Sequence, residues 1–246
     1  MKSENSEPCL EVENLEKSYG GRKVVNGLSF QVYPGEIVGL LGPNGAGKTT
    51  AFYMTIGLIS SDRGKVKFKG VDVTNVPIHK RAQMGMGYLA QEPSIFRALS
   101  VEDNILCILE SLPYSKKERS ERLEALLAEL HLTPLRKKIA SSLSGGERRR
   151  LEITRALVSN PSFLLLDEPF ANIDPISVQE VKELIKILSR KNISVLITDH
   201  NAREIFSIVD RSYLVFDGKV IRSGSVHDLI HDDEVKRTYL GDAFRL

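Results

Sequence analysis

Cysteine is scarce. The two in 246 residues, Cys9 and Cys107, cannot build a disulfide framework, and neither belongs to a CxxC pair for metal binding or thiol exchange. A reducing compartment is the expectation that follows. Long apolar runs are missing as well: none approaches the ~18 residues of a membrane-crossing helix, so contact with a bilayer is expected to go through a partner or the surface. The opening MKSENSEP has one lysine followed by polar residues where a secretory signal would place an apolar stretch, so none is expected. Charge of one sign is also absent. The 34 Lys and Arg face 32 Asp and Glu, a formal net charge of +2, which removes the compositional case for bulk nucleic-acid binding. The basic run Arg148-Arg149-Arg150 reads as a solvated helix face. There is no internal repeat, heptad run or low-complexity tract. His227 and His231 are i,i+4 but lack an HExxH frame, so the histidines give no metal-ligand set.

What remains is an ordinary globular composition, 41% hydrophobic and 27% charged, long enough for one or two domains with a substantial core. Leu10 and Val12 alternate with Glu11 and Glu13, and Leu28, Phe30 and Val32 with polar neighbours, as in half-buried antiparallel strands. Residues 36–41 (EIVGLL) form a nearly continuous apolar strand of the kind covered on both faces in a parallel sheet. A helical run then extends to about Ile59, and Val66 and Phe68 resume the strand pattern. The middle is helical over 101–112 and 116–132, the latter with Leu123, Leu126, Leu127 and Leu130 on one face. The strands 163–167 and 193–198 flank a helix that starts at Asp174-Pro175, where Asp caps orphan amides and Pro suits the first helical position. Residues 213–216 and 219–221 read as a hairpin around Asp217-Gly218. Two short helical segments are expected from about Val226.

Gly42, Pro43, Asn44, Gly45, Ala46, Gly47, Lys48 and Thr49 spell GPNGAGKT, followed by Thr50, between an apolar strand and a helix. This is the full phosphate-loop pattern in the context it requires. The glycines let backbone amides turn inward around phosphate oxygens at the positive end of the helix. Lys48 reaches the β- and γ-phosphates, and the Thr49 hydroxyl serves Mg²⁺. Far downstream, residues 163–168 (FLLLDE) form a buried strand whose C-terminal Asp167 falls where ligands sit in open α/β sheets. Asp167 suits Mg²⁺ and Glu168 suits the attacking water. Between them stands LSGGE, with Ser144, Gly145, Gly146 and Glu147 opening a helix, where Ser144 is able either to cap or to meet a phosphate.

In this order the motifs resemble those of the ATP-binding-cassette (ABC) ATPases, in which LSGG is the signature, and the resemblance covers essentially the whole chain. It implies an α/β fold, a P-loop NTPase core with an N-terminal antiparallel β subdomain and an inserted helical subdomain. The implied layout is one ABC ATPase domain over 1–246, a helical subdomain at 98–160 and a C-terminal helical tail at 226–246. It also implies that Gln91 is the Q-loop glutamine sensing Mg²⁺ and the γ-phosphate, that His200 is the switch histidine, and that Tyr19 stacks on adenine. Residues 171–174 match the D-loop. The implied cofactors are ATP and Mg²⁺, and the implied catalytic set is Glu168, His200 and Gln91. In that family LSGGE of a second copy covers the ATP held by the first, an isologous homodimer in which Asp174 lies across the interface.

The segment before the signature has no coiled-coil arm to span DNA, so a transport ATPase stands ahead of a DNA-associated one. Among transport ATPases the stretches GPNGAGKTTAFYMTIGLI, LLLDEPFANIDPISV and VKRTYLGDAFRL are similar to the ATPase subunits of lipopolysaccharide exporters. Branched-chain amino-acid importer ATPases are the nearest alternative. The exporter resemblance implies a site on the cytoplasmic face of the inner membrane and permease subunits docking near Phe96 and Arg97, with no direct contact to the transported molecule. Phe96 as ordinary core is the competing reading. Exporters usually carry Ala at Pro93, Arg at Ala98 and Gly-Val at Asn172-Ile173.

Overall fold

The computed structural model describes residues 7–241 and Phe244. Strands β1 (Leu10–Tyr19) and β2 (Arg22–Val32) form an antiparallel hairpin that pairs Leu10 with Val32 and Val12 with Phe30. After β3 (Ile37–Leu41) and α1 (Lys48–Ile56), β4 (Arg63–Phe68) and β5 (Val71–Asp72) return to complete a sheet of order β2-β1-β4-β5. Its inner positions are the apolar half of the alternation. Leu10, Val12, Val66 and Phe68 are buried, while outward Glu11 and Glu13 accept from Lys67 at 3.1 and 2.6 Å.

The rest of the chain builds a second sheet and its helices: α2 (Ile78–Gln83), β6 (Met86–Leu89), α3 (Val101–Leu109), α4 (Lys116–Glu129), α5 (Gly145–Leu157), β7 (Phe163–Asp167), α6 (Pro175–Arg190), β8 (Ser194–Thr198), α7 (Ala202–Phe206), β9 (Arg211–Phe216) and β10 (Lys219–Gly224). The sheet order is β10-β9-β3-β8-β7-β6, parallel except for β10. Strands β3, β7 and β8 are buried at every position, as two-sided coverage requires. Phe163 and Leu165 enter the core shared with α1 and the antiparallel sheet, whereas Leu164 and Leu166 enter the core shared with α3 to α6. The four leucines expected on one face of α4 are all buried in that second core. The carboxyl ends of the neighbouring β3, β8 and β7 deliver Gly42, Asp199 and Glu168 to one edge.

Three helices are shorter than their patterns predict. Helix α1 stops at Ile56, before the expected Ile59, because Gly57 takes φ +84° and its amide turns back to Tyr53 and Met54 carbonyls. Helix α3 stops at Leu109, and α4 at Glu129, just before His131 adopts a left-handed φ of 55°. The final hairpin is longer than predicted, running from Arg211 to Gly224. The tail contains α8 (Val226–His231), α9 (Asp233–Val235) and then a wide π-type turn over Lys236–Leu240. Of the terminal YLGDAFRL, residues 242, 243, 245 and 246 lie outside the described residues.

Candidate active site

The loop from β3 to α1 cannot be built with side chains at its ends. Gly42 has φ +147°, and a Cβ there would lie 2.1 Å from the Val215 carbonyl. Gly47 has φ +100°, and a Cβ would lie 2.5 Å from the Val24 carbonyl. Squeezed between β9 and β2, the loop opens a cleft lined by Asn44, Gly45, Lys48, Thr49, Thr50 and Glu168. The Lys48 ammonium bridges the loop, donating to Gly42 O at 2.6 Å and Pro43 O at 2.9 Å. Burial holds it below the usual lysine range, opposed by the Glu168 and Asp167 carboxylates. Ala46 is buried and its carbonyl accepts from Gly218 N at 3.0 Å, so it anchors the loop.

Across the cleft, β7 ends on Asp167, only 2% exposed. Burial, then the neighbouring Glu168 charge, push its carboxyl up to about 6, and the Tyr88 hydroxyl stands 3.5 Å from Oδ2. A buried carboxylate at the strand end and the Thr49 hydroxyl, which lines the cleft with the adjoining Glu168, are hard-oxygen donors of the kind that fit Mg²⁺. Glu168 turns sharply out of the strand at φ +45°, with its amide bonded to Thr198 O at 2.8 Å. That turn brings three sequence-predicted residues together: Gln91 Nε2 donates to Glu168 Oε2 at 2.8 Å, and His200 Nδ1 lies 3.7 Å from the same oxygen. Tyr19 is exposed at the end of β1, beside the Lys17 ammonium.

The signature residues are not brought into this cleft. Ser144 caps α5 in a reciprocal box: its Oγ accepts from Glu147 N at 3.2 Å while Glu147 Oε2 accepts from Ser144 N at 2.7 Å. Gly145 lines a separate hollow with Gln91 and Asn172. Gly146 is buried against α6, where a Cβ would meet Ser177 Oγ at 2.2 Å, so in one subunit it serves helix packing. Asp174 caps α6 as predicted, accepting from Ile176 N and Ser177 N at 3.1 and 3.0 Å.

The reading of Arg148-Arg149-Arg150 as a solvated face is corrected. Arg149 is 6% exposed and donates to the carbonyls of Ala90, Asp167, Glu168 and Pro169 at 3.1–3.2 Å, while pairing with buried Glu152 at 2.8 Å. It joins α5 to the Q-loop and to the strand end that carries the acids. The signal was helical phase, since Gly146, Arg149 and Ile153 share the buried face of α5. Asp199 was also missed. It is buried and accepts from Phe170 N at 3.2 Å and Asn201 N at 3.0 Å, so it ties the His200 segment to the loop after β7.

Phe96 is 50% exposed, which excludes the core reading. Its backbone is clamped by buried Asn104, which accepts from Phe96 N at 2.8 Å and donates to Phe96 O at 3.0 Å, and the Arg155 guanidinium stacks 4.7 Å from its ring. Arg97 is exposed, and its carbonyl accepts from Ser141 N at 2.9 Å.

A phosphate loop, a strand ending in paired acids, and a glutamine and histidine meeting on one carboxylate are the parts of a nucleotide hydrolase. Residues 25–171 match the ABC transporter family, and the chain belongs to it as an ATP-hydrolysing subunit. Within that family it is closely related to LptB. The lipopolysaccharide export system ATP-binding protein LptB of Acidithiobacillus ferridurans is 56% identical over 237 residues, covering 96% of this chain and 98% of the relative. LptB of Escherichia coli K12 is 50% identical over 238 residues, covering 96% and 99%. Among solved structures, the ATP-binding cassette MJ1267 in its ADP conformation superposes with a TM-score of 0.86 at 29% identity, covering 96% of this chain and all of that one. Among the described residues, no helix is long and apolar enough to cross a membrane.

Proposed function

We propose that the chain powers lipopolysaccharide export, hydrolysing ATP as a head-to-tail homodimer bound to permease subunits on the cytoplasmic face of the inner membrane. Full-length likeness to proteins bearing that function in their names supports the exporter reading over the importer one. The observation that carries the chemistry is the 2.8 Å bond from Gln91 to Glu168, which puts a Q-loop side chain on the carboxylate that faces the phosphate loop.

In this reading the loop amides of residues 42–47 and the α1 terminus cradle the phosphates, Lys48 exchanges its loop carbonyls for β- and γ-phosphate oxygens, and Tyr19 stacks on adenine. Thr49, Asp167 and Gln91 would hold Mg²⁺, which would supply charge neutralisation on the phosphates. Glu168 accepts a hydrogen bond from the attacking water and orients it in line, while His200 hydrogen-bonds the γ-phosphate. Ser144 and Gly145 of the second copy close the other side of the nucleotide, with Glu147 holding Ser144 in place. The elements between 98 and 160 act as a helical subdomain that carries the signature, and Phe96 with Arg97 forms its docking point for the permeases. The test is co-purification in mild detergent followed by reconstitution into vesicles. ATP-dependent release of lipopolysaccharide with exporter permeases is the expected outcome, whereas recovery with importer permeases would replace the reading.

A further inference from the structure

The wide turn at Lys236–Leu240, closed by Gly241 N on Lys236 O at 2.8 Å, carries Tyr239 back to the edge of the sheet where the nucleotide loops emerge. Turns of this i→i+5 type occur disproportionately at functional sites. The ring lines a hollow with His200 and Asn201, and its hydroxyl faces the Gly42 amide with the Asp199 charge within electrostatic reach. That hydroxyl is buried and makes no well-formed hydrogen bond among the described residues; the Gly42 amide can only donate to its oxygen, so its own proton has no acceptor. A buried phenol left unpaired needs an explanation, because apolar replacement of the same shape would avoid the desolvation cost. Burial holds it at about 12, so it is a protonated donor at any working pH. Asp199 has capacity to accept: Oδ1 takes the Asn201 amide and lies 3.5 Å from His200 Nδ1, while Oδ2 takes only the Phe170 amide, which leaves a lone pair on Oδ2.

We propose that Tyr239 is a positioning residue for hydrolysis, its hydroxyl donating to the Asp199 carboxylate when the segment bearing His200 closes over bound nucleotide. Asp199 adjoins His200 and holds the first amide after the 199–200 corner, so this bond fixes the direction in which the imidazole points. The C-terminal turn thereby reports on, and stiffens, the γ-phosphate side of the site. This inference rests on the role proposed above for His200.

Tyr239→Phe removes only the hydroxyl, so fold and ring packing stay. In the purified chain we expect a melting temperature no lower than wild type, kcat lowered roughly tenfold and the KM for ATP within about twofold of wild type. In a His200→Ala background the same substitution should cost no further turnover, because the two act through one contact. Hydrogen exchange with Mg²⁺ and a non-hydrolysable ATP analogue supplies a readout independent of His200: amides of residues 199–206 should exchange faster in Tyr239→Phe than in wild type. Wild-type kcat, a full additional loss in the His200→Ala background, or unchanged exchange would each overturn the proposal. If His200→Ala alone keeps full turnover, the reading of the histidine fails, and the exchange comparison still decides whether Tyr239 restrains the segment.

Discussion

The Arg149 guanidinium donates to the Glu168 carbonyl at 3.1 Å, so a side chain of the signature helix sets the backbone of the acid proposed to orient water. The same group holds Ala90 O, one residue before Gln91, and both partners of the Gln91–Glu168 bond are therefore referenced to one planar cation. Arg149→Ala would leave Glu152 as a buried uncompensated charge and four carbonyls short of a donor. Breaking a buried pair in this way costs about 3–5 kcal/mol, or a melting temperature lower by roughly 10 °C in a chain of this size. Arg149→Lys retains the charge and loses the fork. It should fold, with kcat at saturating ATP falling more than ATP affinity. Wild-type turnover in folded Arg149→Lys would detach the guanidinium from the chemistry.

Glu168→Gln keeps the Lys48 cradle and removes the carboxylate that orients water. Nucleotide binding should persist while turnover drops roughly a hundredfold or more, the loss typical of one transition-state contact. Trapped with ATP, the variant should also shift from monomer to dimer in light scattering, since Ser144 and Gly145 lie outside the cleft of their own subunit and are proposed to act on the other. A monomer at saturating ATP would contradict closure by the isolated chain.

Asp167 offers a test of opposite sign for stability and activity. Its carboxyl is raised from 3.8 to about 6 in the fold, so the native state binds this proton more tightly than the unfolded chain does. The stabilisation that protonation provides is complete below about pH 4 and is lost as pH rises through 6. At pH 8 the buried charge therefore costs roughly 2–3 kcal/mol in the metal-free, nucleotide-free chain. Asp167→Asn should raise the melting temperature by about 5 °C or more at pH 8 and by little at pH 4, while abolishing Mg²⁺-dependent hydrolysis. Equal melting of the two proteins at pH 8 would show that the carboxylate is not strained by burial.

Phe96→Ala separates coupling from folding. The residue is already half exposed, and its backbone is held by Asn104 rather than by the ring. Melting and ATP binding of the isolated subunit should stay near wild type, with weakened co-purification of the permeases or hydrolysis uncoupled from lipid release. Aromatic and arginine side chains dominate interface hot spots, so Arg97→Ala should weaken the same association. If both variants associate and couple normally, the docking surface lies elsewhere.

Local patterns in the sequence determined the α/β plan, the phosphate loop, the acids at the end of β7 and the caps at Ser144 and Asp174. Each depends on neighbours a few residues away: a burial period, a glycine spacing, a side chain bonding its own helix terminus. Helix ends were less legible, because the left-handed φ of Gly57 and His131 outweighed an apolar pattern that continued past them. Whether Phe96 was core or surface, and whether Arg149 was solvated or buried, was settled by tertiary packing alone. The composition of 148–150 is that of a solvated run, and only docking of α5 against β7 and the Q-loop turns its middle member inward onto four carbonyls. The meeting of Gln91, Glu168 and His200 has the same origin. Gln91 and His200, far apart in the chain, meet on the Glu168 carboxylate because β6, β7 and β8 lie side by side in register, and that adjacency is a property of the sheet order.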